Sequence, residues 1–269
     1  MRNDLSVRTH AGVTILKFSR PESMNAMTPD MEGALRDAIE AASVDPDVKV
    51  ILLTGEGRAF CAGADLKAVK AGDYYEKQGK LLARAEATEP PYIGRFSYFA
   101  LCPKPIIAFL NGAAIGVGMT IALHCDIRLV NPDAKLSFAF PRLGLAAEEG
   151  VAFLLPRLIG ASAAMELLLS GKRFTGRDAA SYGLATLLDD PKPDEAAALA
   201  RVGDMFDLCS PDAMRRIKAQ IWESWLAEYE TAIRTARKEV MESRNSADFA
   251  EAVAGFAEKR PPRFQGLGS

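Results

Sequence analysis

Two kinds of residue in this sequence are equipped for chemistry. The first is the run of small residues in GEGRAFCAGADL, 55–66, which follows the apolar stretch VKVILLT. Glycine and alanine let backbone N–H groups come close to a ligand, so such a turn after a buried strand can cradle a negatively charged atom. The second is the pair Glu148 and Glu149 in AAEEGVAFLLPRL. A carboxylate can take up and return a proton, and burial among Leu145, Val151 and Phe153 would raise its pKa and strengthen it as a base. The competing role for both glutamates is to cap the helix that follows, because acids favour a helix N-terminus.

Other chemistries have little to work with. The four cysteines, Cys61, Cys102, Cys125 and Cys209, are far apart with no CxxC pair, and His10 and His124 are the only histidines. Neither a metal site nor a disulfide framework is expected. Cys61 has no base at a fixed spacing and reads as packing, and His124, in the apolar segment IALHCD, reads as a core or interface residue. A net charge of -2 argues against nucleic acid as a partner. No apolar run reaches about 18 residues and MRNDLSVRTH has no apolar leader core, so a soluble, cytoplasmic protein is expected, with no membrane partner.

These residues must be positioned by alternating strands and helices. LSVRT and VTILKFS flank His10, Ala11 and Gly12 as a hairpin, and Thr28 with Pro29 reads as a helix start. Met31, Leu35, Ala38, Ile39 and Ala42 form one apolar stripe on that helix, and VKVILLT resumes as a strand buried on both faces. PIIAFL reads as another strand, followed by a small-residue helix from about Gly116, and CDIRLV reads as a further strand. Successive βα units imply a largely parallel sheet with helices against it. Residues 68–100 contain Gly72, Tyr74, Tyr75, Gly79, Pro90, Pro91 and Gly94 and predict an irregular lid, its tyrosines either lining a pocket or packing the lid itself. From about Ala161 the chain reads as mostly helical, broken by Gly171, Gly183 and DDPKPDE. At 269 residues and 49% hydrophobic, it can bury a sizeable core. No internal repeat or low-complexity tract is apparent.

Six segments in order, RPESMNAM (20–27), GEGRAFCAGADL (55–66), KPIIAFLNGAAIGVGM (104–119), CDIRL (125–129), LLPRLIG (154–160) and FAEKR (256–260), resemble the enoyl-CoA hydratase/isomerase, or crotonase, superfamily over nearly the whole chain. The resemblance implies an α/β fold, a spiral of ββα units over 1–200, with a helical C-terminal region, 201–269, that makes trimer contacts. It implies a homotrimer or homohexamer, an acyl-CoA thioester substrate, and no cofactor beyond the CoA moiety. The anion cradled at 55–66 is then a thioester oxygen as it becomes an enolate. By the motif, its two donors are the backbone N–H groups of Ala64 and Val117. Preorganised donors stabilise that developing charge better than the neutral substrate, each worth roughly 3 kcal/mol of barrier. Val117 stands where glycine is common, which a backbone donor tolerates if its φ is negative.

CoA recognition carries over in the same way. Met24 and Ala26 match positions along the pantetheine channel, and the carbonyl of Ala62 faces the adenine. Arg58 and Lys67 flank that turn, to which Asp65 and Leu66 belong. Phe256 and Lys259 match a C-terminal helix that approaches the adenine and ribose phosphate. Basic side chains suit phosphates, although solvated surface charge is the alternative for Arg58, Lys67 and Lys259. Asp126 and Arg128 match a structural segment.

The chain departs from the family where hydratases carry two glutamates, because Thr120 and Arg142 stand there. Threonine is no base at neutral pH and arginine stays protonated. Glu148 aligns instead with the acid of isomerase-like and dehalogenase-like branches. One carboxylate suffices to move a double bond, removing the alpha proton and returning it at the gamma carbon. The resulting expectation is a 3-enoyl to 2-enoyl-CoA isomerase, with Ala64, Val117 and Glu148 at the chemistry. The alternatives are an enoyl-CoA hydratase and a degenerate protein that binds CoA thioesters without turnover.

Overall fold

A computed structural model describes residues 4–71, 74–86, 94–188, 190 and 192–262. Strands β1 (Leu5–His10) and β2 (Val13–Phe18) form the expected hairpin, turning through Ala11 and Gly12 at positive φ. Helix α1 (Pro29–Val44) starts at the expected cap, with Thr28 Oγ1 accepting the Met31 N–H at 3.2 Å. There follow β3 (Val50–Gly55), β4 (Ala59–Cys61), α2 (Leu66–Ala71), α3 (Tyr74–Glu86), α4 (Tyr98–Leu101), β5 (Ile106–Leu110), β6 (Ala113–Ile115), α5 (Val117–His124), β7 (Ile127–Val130) and β8 (Lys135–Ser137). The rest comprises α6 (Val151–Ile159), α7 (Ala161–Ser170), β9 (Phe174–Thr175), α8 (Gly176–Ser181), β10 (Thr186–Leu187), α9 (Glu195–Phe206), α10 (Pro211–Arg244) and α11 (Ala247–Ala257).

The strands form two sheets. The larger has the order β1-β2-β3-β5-β7-β10 and is parallel beyond its first hairpin, and the smaller has the order β4-β6-β8-β9. Each turn of the chain lays one strand in the larger sheet and the next in the smaller: β3 then β4, β5 then β6, β7 then β8. The second strands β4, β6 and β8 are only three residues long and share no residue pattern, which explains why no repeat is visible in the residues themselves. Both faces of the larger sheet's inner strands β3 and β5 are buried, as the apolar strand runs require. Leu16, Ile51, Leu53 and Ala108 face the main core, while Ile15, Val50, Leu52 and Ile107 face Ala198 and Val202 of α9.

The expectation of an irregular segment over 68–100 is corrected where the structure describes it. Helix α3 places Tyr74, Gln78, Leu81 and Leu82 toward the protein at helical spacing, and packs on α1, where Arg36 Nη1 reaches the Leu81 carbonyl at 3.5 Å. Gly79 costs such a helix only about 1 kcal/mol, which side-chain burial outweighs. Gly72, Pro90 and Pro91 lie outside the described residues. Among the described residues no helix is long and apolar enough to cross a membrane, and no group of His, Cys, Asp and Glu is arranged to hold a metal ion.

Candidate active site

The backbone half of the site is built where the two sheets hand the chain over to helices. Ala64 bridges Met27 in parallel fashion, with the Met27 N–H donating to Gly63 O at 2.8 Å and the Asp65 N–H donating to Met27 O at 2.8 Å. In that pattern the N–H of Ala64 itself points away from Met27. Val117 is the first residue of α5, so its N–H is one of the helix's unsatisfied donors, and its helical backbone gives the negative φ a non-glycine residue needs. Gly116, at φ 51 and ψ −118, turns the strand into that helix in a region that favours glycine. The two turns meet closely. A Cβ on Gly118 would lie 2.1 Å from the Cys61 carbonyl oxygen, so only glycine lets α5 seat against β4. The N-terminal end of α5 adds its positive dipole beside these donors.

The side-chain half lies around Glu148. Its Oε1 accepts from Thr120 Oγ1 at 3.2 Å, and its Oε2 lies 3.5 Å from Arg95 Nη1. Burial raises its pKa, and the neighbouring Glu149 charge adds to this, against the opposing pull of Arg95, Arg244 and the Thr120 hydroxyl. Neither glutamate caps the next helix through its side chain, because α6 has Gly150 as its N-cap with no side-chain bond. Glu149 holds the left-handed backbone at φ 46, and its Oε2 accepts the Arg95 backbone N–H at 3.0 Å. Arg95 is buried and also paired with Glu32 through Nε–Oε1 at 3.0 Å and Nη2–Oε2 at 2.5 Å. Burial opposes its charge, but Glu32, Glu148 and Glu149 together keep it firmly protonated. A cavity of about 170 Å3 opens here, lined in part by Tyr75, Leu82, Glu148, Val240, Met241 and Arg244.

Sequence reasoning missed Arg95 and treated Thr120 only as a lost glutamate. Thr120 is fully buried and its hydroxyl supports Glu148. One signal for Arg95 existed: Glu32 lies beside Met31 in α1, and an acid buried there demands a cationic partner. Arg142, in the other glutamate position, is exposed, with its Nε donating to Ser170 O at 3.2 Å. Tyr75 lines the cavity, whereas Tyr74 is packed into the protein.

The residues expected around CoA divide in two. Met24, Ala26, Ala62 and Leu66 are half-buried and gathered on one ridge, with the Ala62 N–H donating to Met24 O at 3.1 Å. Arg58 and Lys67 are exposed at its edges. Asp65 is a structural member of that turn. Its Oδ1 accepts from the backbone of Lys67 at 3.0 Å and Ala68 at 3.3 Å, opening α2, and its Oδ2 accepts from Arg20 Nη2 at 2.8 Å. Burial would raise its pKa, but these bonds outweigh it and hold the carboxyl below its ordinary value. Phe256 and Lys259 are exposed on α11 and just beyond it, and α11 packs against α10 and the short turn Phe140–Leu143.

The remaining candidates are structural. Burial pushes His124 down to about 4, and its ring stands beside Phe96 and Phe99 with Nδ1 2.8 Å from Thr120 O. Burial pushes the Cys61 thiol up to about 12, which removes the thiolate a nucleophile needs. Asp126 accepts from the Ile106 N–H at 2.7 Å and from Trp222 Nε1 at 3.0 Å, and Arg128 donates to the carbonyls of Cys125 and Leu184.

Two sheets wound by repeated strand–strand–helix units define a crotonase-fold protein. The Enoyl-CoA hydratase/isomerase profile matches residues 8–267, and the chain belongs to that family. It is 37% identical over 196 residues to a probable enoyl-CoA hydratase of Mycobacterium tuberculosis, covering 73% of each. It is 33% identical over 257 residues to the 1,2-epoxyphenylacetyl-CoA isomerase of Escherichia coli, covering 95% of each. An enoyl-CoA hydratase/isomerase crystal structure from Pseudoalteromonas atlantica superposes with a TM-score of 0.83 at 30% identity, over 98% of this chain and all of that one.

Proposed function

We propose that the protein binds acyl-CoA thioesters and shifts a 3-enoyl double bond to the 2-position, using Glu148 as the single proton carrier. The observation that carries this is the state of Glu148. It is a half-buried carboxylate of raised pKa, oriented by Thr120 and Arg95 and open to a cavity. The thioester oxygen is proposed to lie between the N–H groups of Ala64 and Val117, which stabilise the enolate as Glu148 removes the alpha proton. Glu148 then returns the proton at the gamma carbon, so no water is consumed. The nucleotide is proposed to lie along the Met24–Ala62 ridge with Arg58, Lys67 and Lys259 near its phosphates. A trimer or dimer of trimers is the assembly proposed from the family resemblance.

Hydration of a 2-enoyl-CoA is the second reading, favoured by the hydratase names of several relatives. It needs a second carboxylate over the enoyl group to orient water, and Arg142 is exposed with its Nε on Ser170 O. Assaying both reactions separates the readings. Isomerisation is expected to dominate, and Glu148→Gln is expected to lower it by roughly 100- to 10,000-fold, the usual weight of general-base work. Affinity for free CoA should stay unchanged. Robust hydration by the wild type, or full isomerisation by Glu148→Gln, would overturn the assignment. In deuterated water, failure to exchange the alpha proton of a bound acyl-CoA would point to a binding protein without turnover.

A further inference from the structure

Besides Arg95, two arginines line the cavity beside Glu148, Arg237 and Arg244, and neither carries the proton in the double-bond shift. Arg244, in the last turn of α10, contributes a guanidinium whose Cζ lies 4.2 Å from the centroid of the Tyr75 ring. Its Nε is buried and has no hydrogen-bond partner among the described residues. Arg95, the neighbouring cation, is in the opposite condition. Its guanidinium is bonded to both oxygens of Glu32 and lies near Glu148, so it has little left to offer a ligand. The same cavity presents the apolar side chains of Leu82, Val240 and Met241.

A buried donor without an acceptor is costly, and the cost is relieved when an acceptor arrives with the ligand. A guanidinium presents its donors as a planar fork that matches a carboxylate in paired fashion. Stacking on Tyr75 fixes that fork in advance, which lowers the ordering cost of binding. The volume of about 170 Å3 is well below the ~300–1,000 Å3 of pockets for drug-sized ligands, which suits a short chain.

Resting on the acyl-CoA reading, we propose that the acyl group bound here ends in a carboxylate that docks on Arg244, making the preferred ligands CoA thioesters of short dicarboxylic acids. The thioester end faces the backbone donors, the carbons next to it face Glu148, and the far carboxylate meets the guanidinium. Leu82, Val240 and Met241 cover the methylenes between.

Titration calorimetry with thioesters that cannot react tests this without relying on turnover. Glutaryl- and adipoyl-CoA are compared with valeryl- and hexanoyl-CoA, of equal carbon number, and with 6-hydroxyhexanoyl-CoA. The carboxylated member of at least one pair is expected to bind roughly ten-fold tighter or more, the weight of a charge-assisted hydrogen bond. Arg244→Gln should bring the pair to within about two-fold of each other, with free CoA binding as in the wild type, and Arg244→Lys should keep part of the preference. Equal affinities in both pairs overturn the proposal for the wild type alone, whatever the variants do. So does a preference that survives Arg244→Gln, or a hydroxyl that serves as well as the carboxylate. If neither free CoA nor any thioester binds, the acyl-CoA reading fails first and this proposal with it.

Discussion

The turns at Cys61–Leu66 and Gly116–Thr120 meet backbone to backbone, with Gly118 pressed on the Cys61 carbonyl, whereas the corner at Glu148 is assembled from side chains of α1, α5, α10 and the segment at Arg95. The first arrangement fixes donors through main-chain geometry, which tolerates Val at position 117 because no side chain takes part. The second holds the proposed base through ionic contacts, in which each member depends on partners far along the chain. Backbone donors cost nothing to reorganise when charge develops on a ligand. A buried carboxylate has to be held at the right height between burial, which raises its pKa, and a cation, which lowers it.

The sharpest way to break this comparison is at Gly118. Any Cβ there collides with backbone, so Gly118→Ala is expected to destabilise by more than ~3 kcal/mol, the upper end of ordinary overpacking, and to abolish turnover in whatever folds. Urea unfolding and a rate assay measure both, and an intact rate would show that the backbone half is not rigid. Arg95→Met attacks the other half. It strands Glu32 in the core and should cost about 3–5 kcal/mol of stability in the same unfolding experiment.

A subtler effect should appear in the pH profile. As the proposed base, Glu148 would act only when ionised, so kcat/KM should fall as pH drops through its raised pKa. The sign for stability follows from the same shift. The folded state holds that proton more tightly, so the contribution of Glu148 is full below its unfolded pKa and is lost as pH rises through the folded one. Thr120→Val removes a bond that favours the ionised form, so the limb should move to higher pH by about half to one pH unit, the worth of one hydrogen bond of ~0.5–1.5 kcal/mol. An unmoved limb would mean that Thr120 does not tune the base. The smallest effect is expected at Lys259. Lys259→Ala should raise KM about two- to five-fold with kcat unchanged, as the loss of one exposed phosphate contact predicts. A fall in kcat instead would place Lys259 nearer the chemistry.

By itself, the sequence determined the parts that depend on neighbours along the chain. The hairpin at Ala11 and Gly12, the Thr28 cap, the buried strands and the small-residue turns at Ala64 and Val117 all follow from local conformational preference and period. The resemblance, through a place ahead of LPRL, is what singles out Glu148 as the proposed base. Helix α3 was hidden because glycine and tyrosine interrupt its pattern, and only packing on α1 decides the competition between helix and loop. What the tertiary structure alone decided was the company of Glu148. Glu32, Arg95, Thr120 and Arg244 come from four distant segments, and no spacing relates them. Local rules reach as far as one turn or one strand, while the charge balance of a buried carboxylate depends on every group the fold brings within a few ångströms of it.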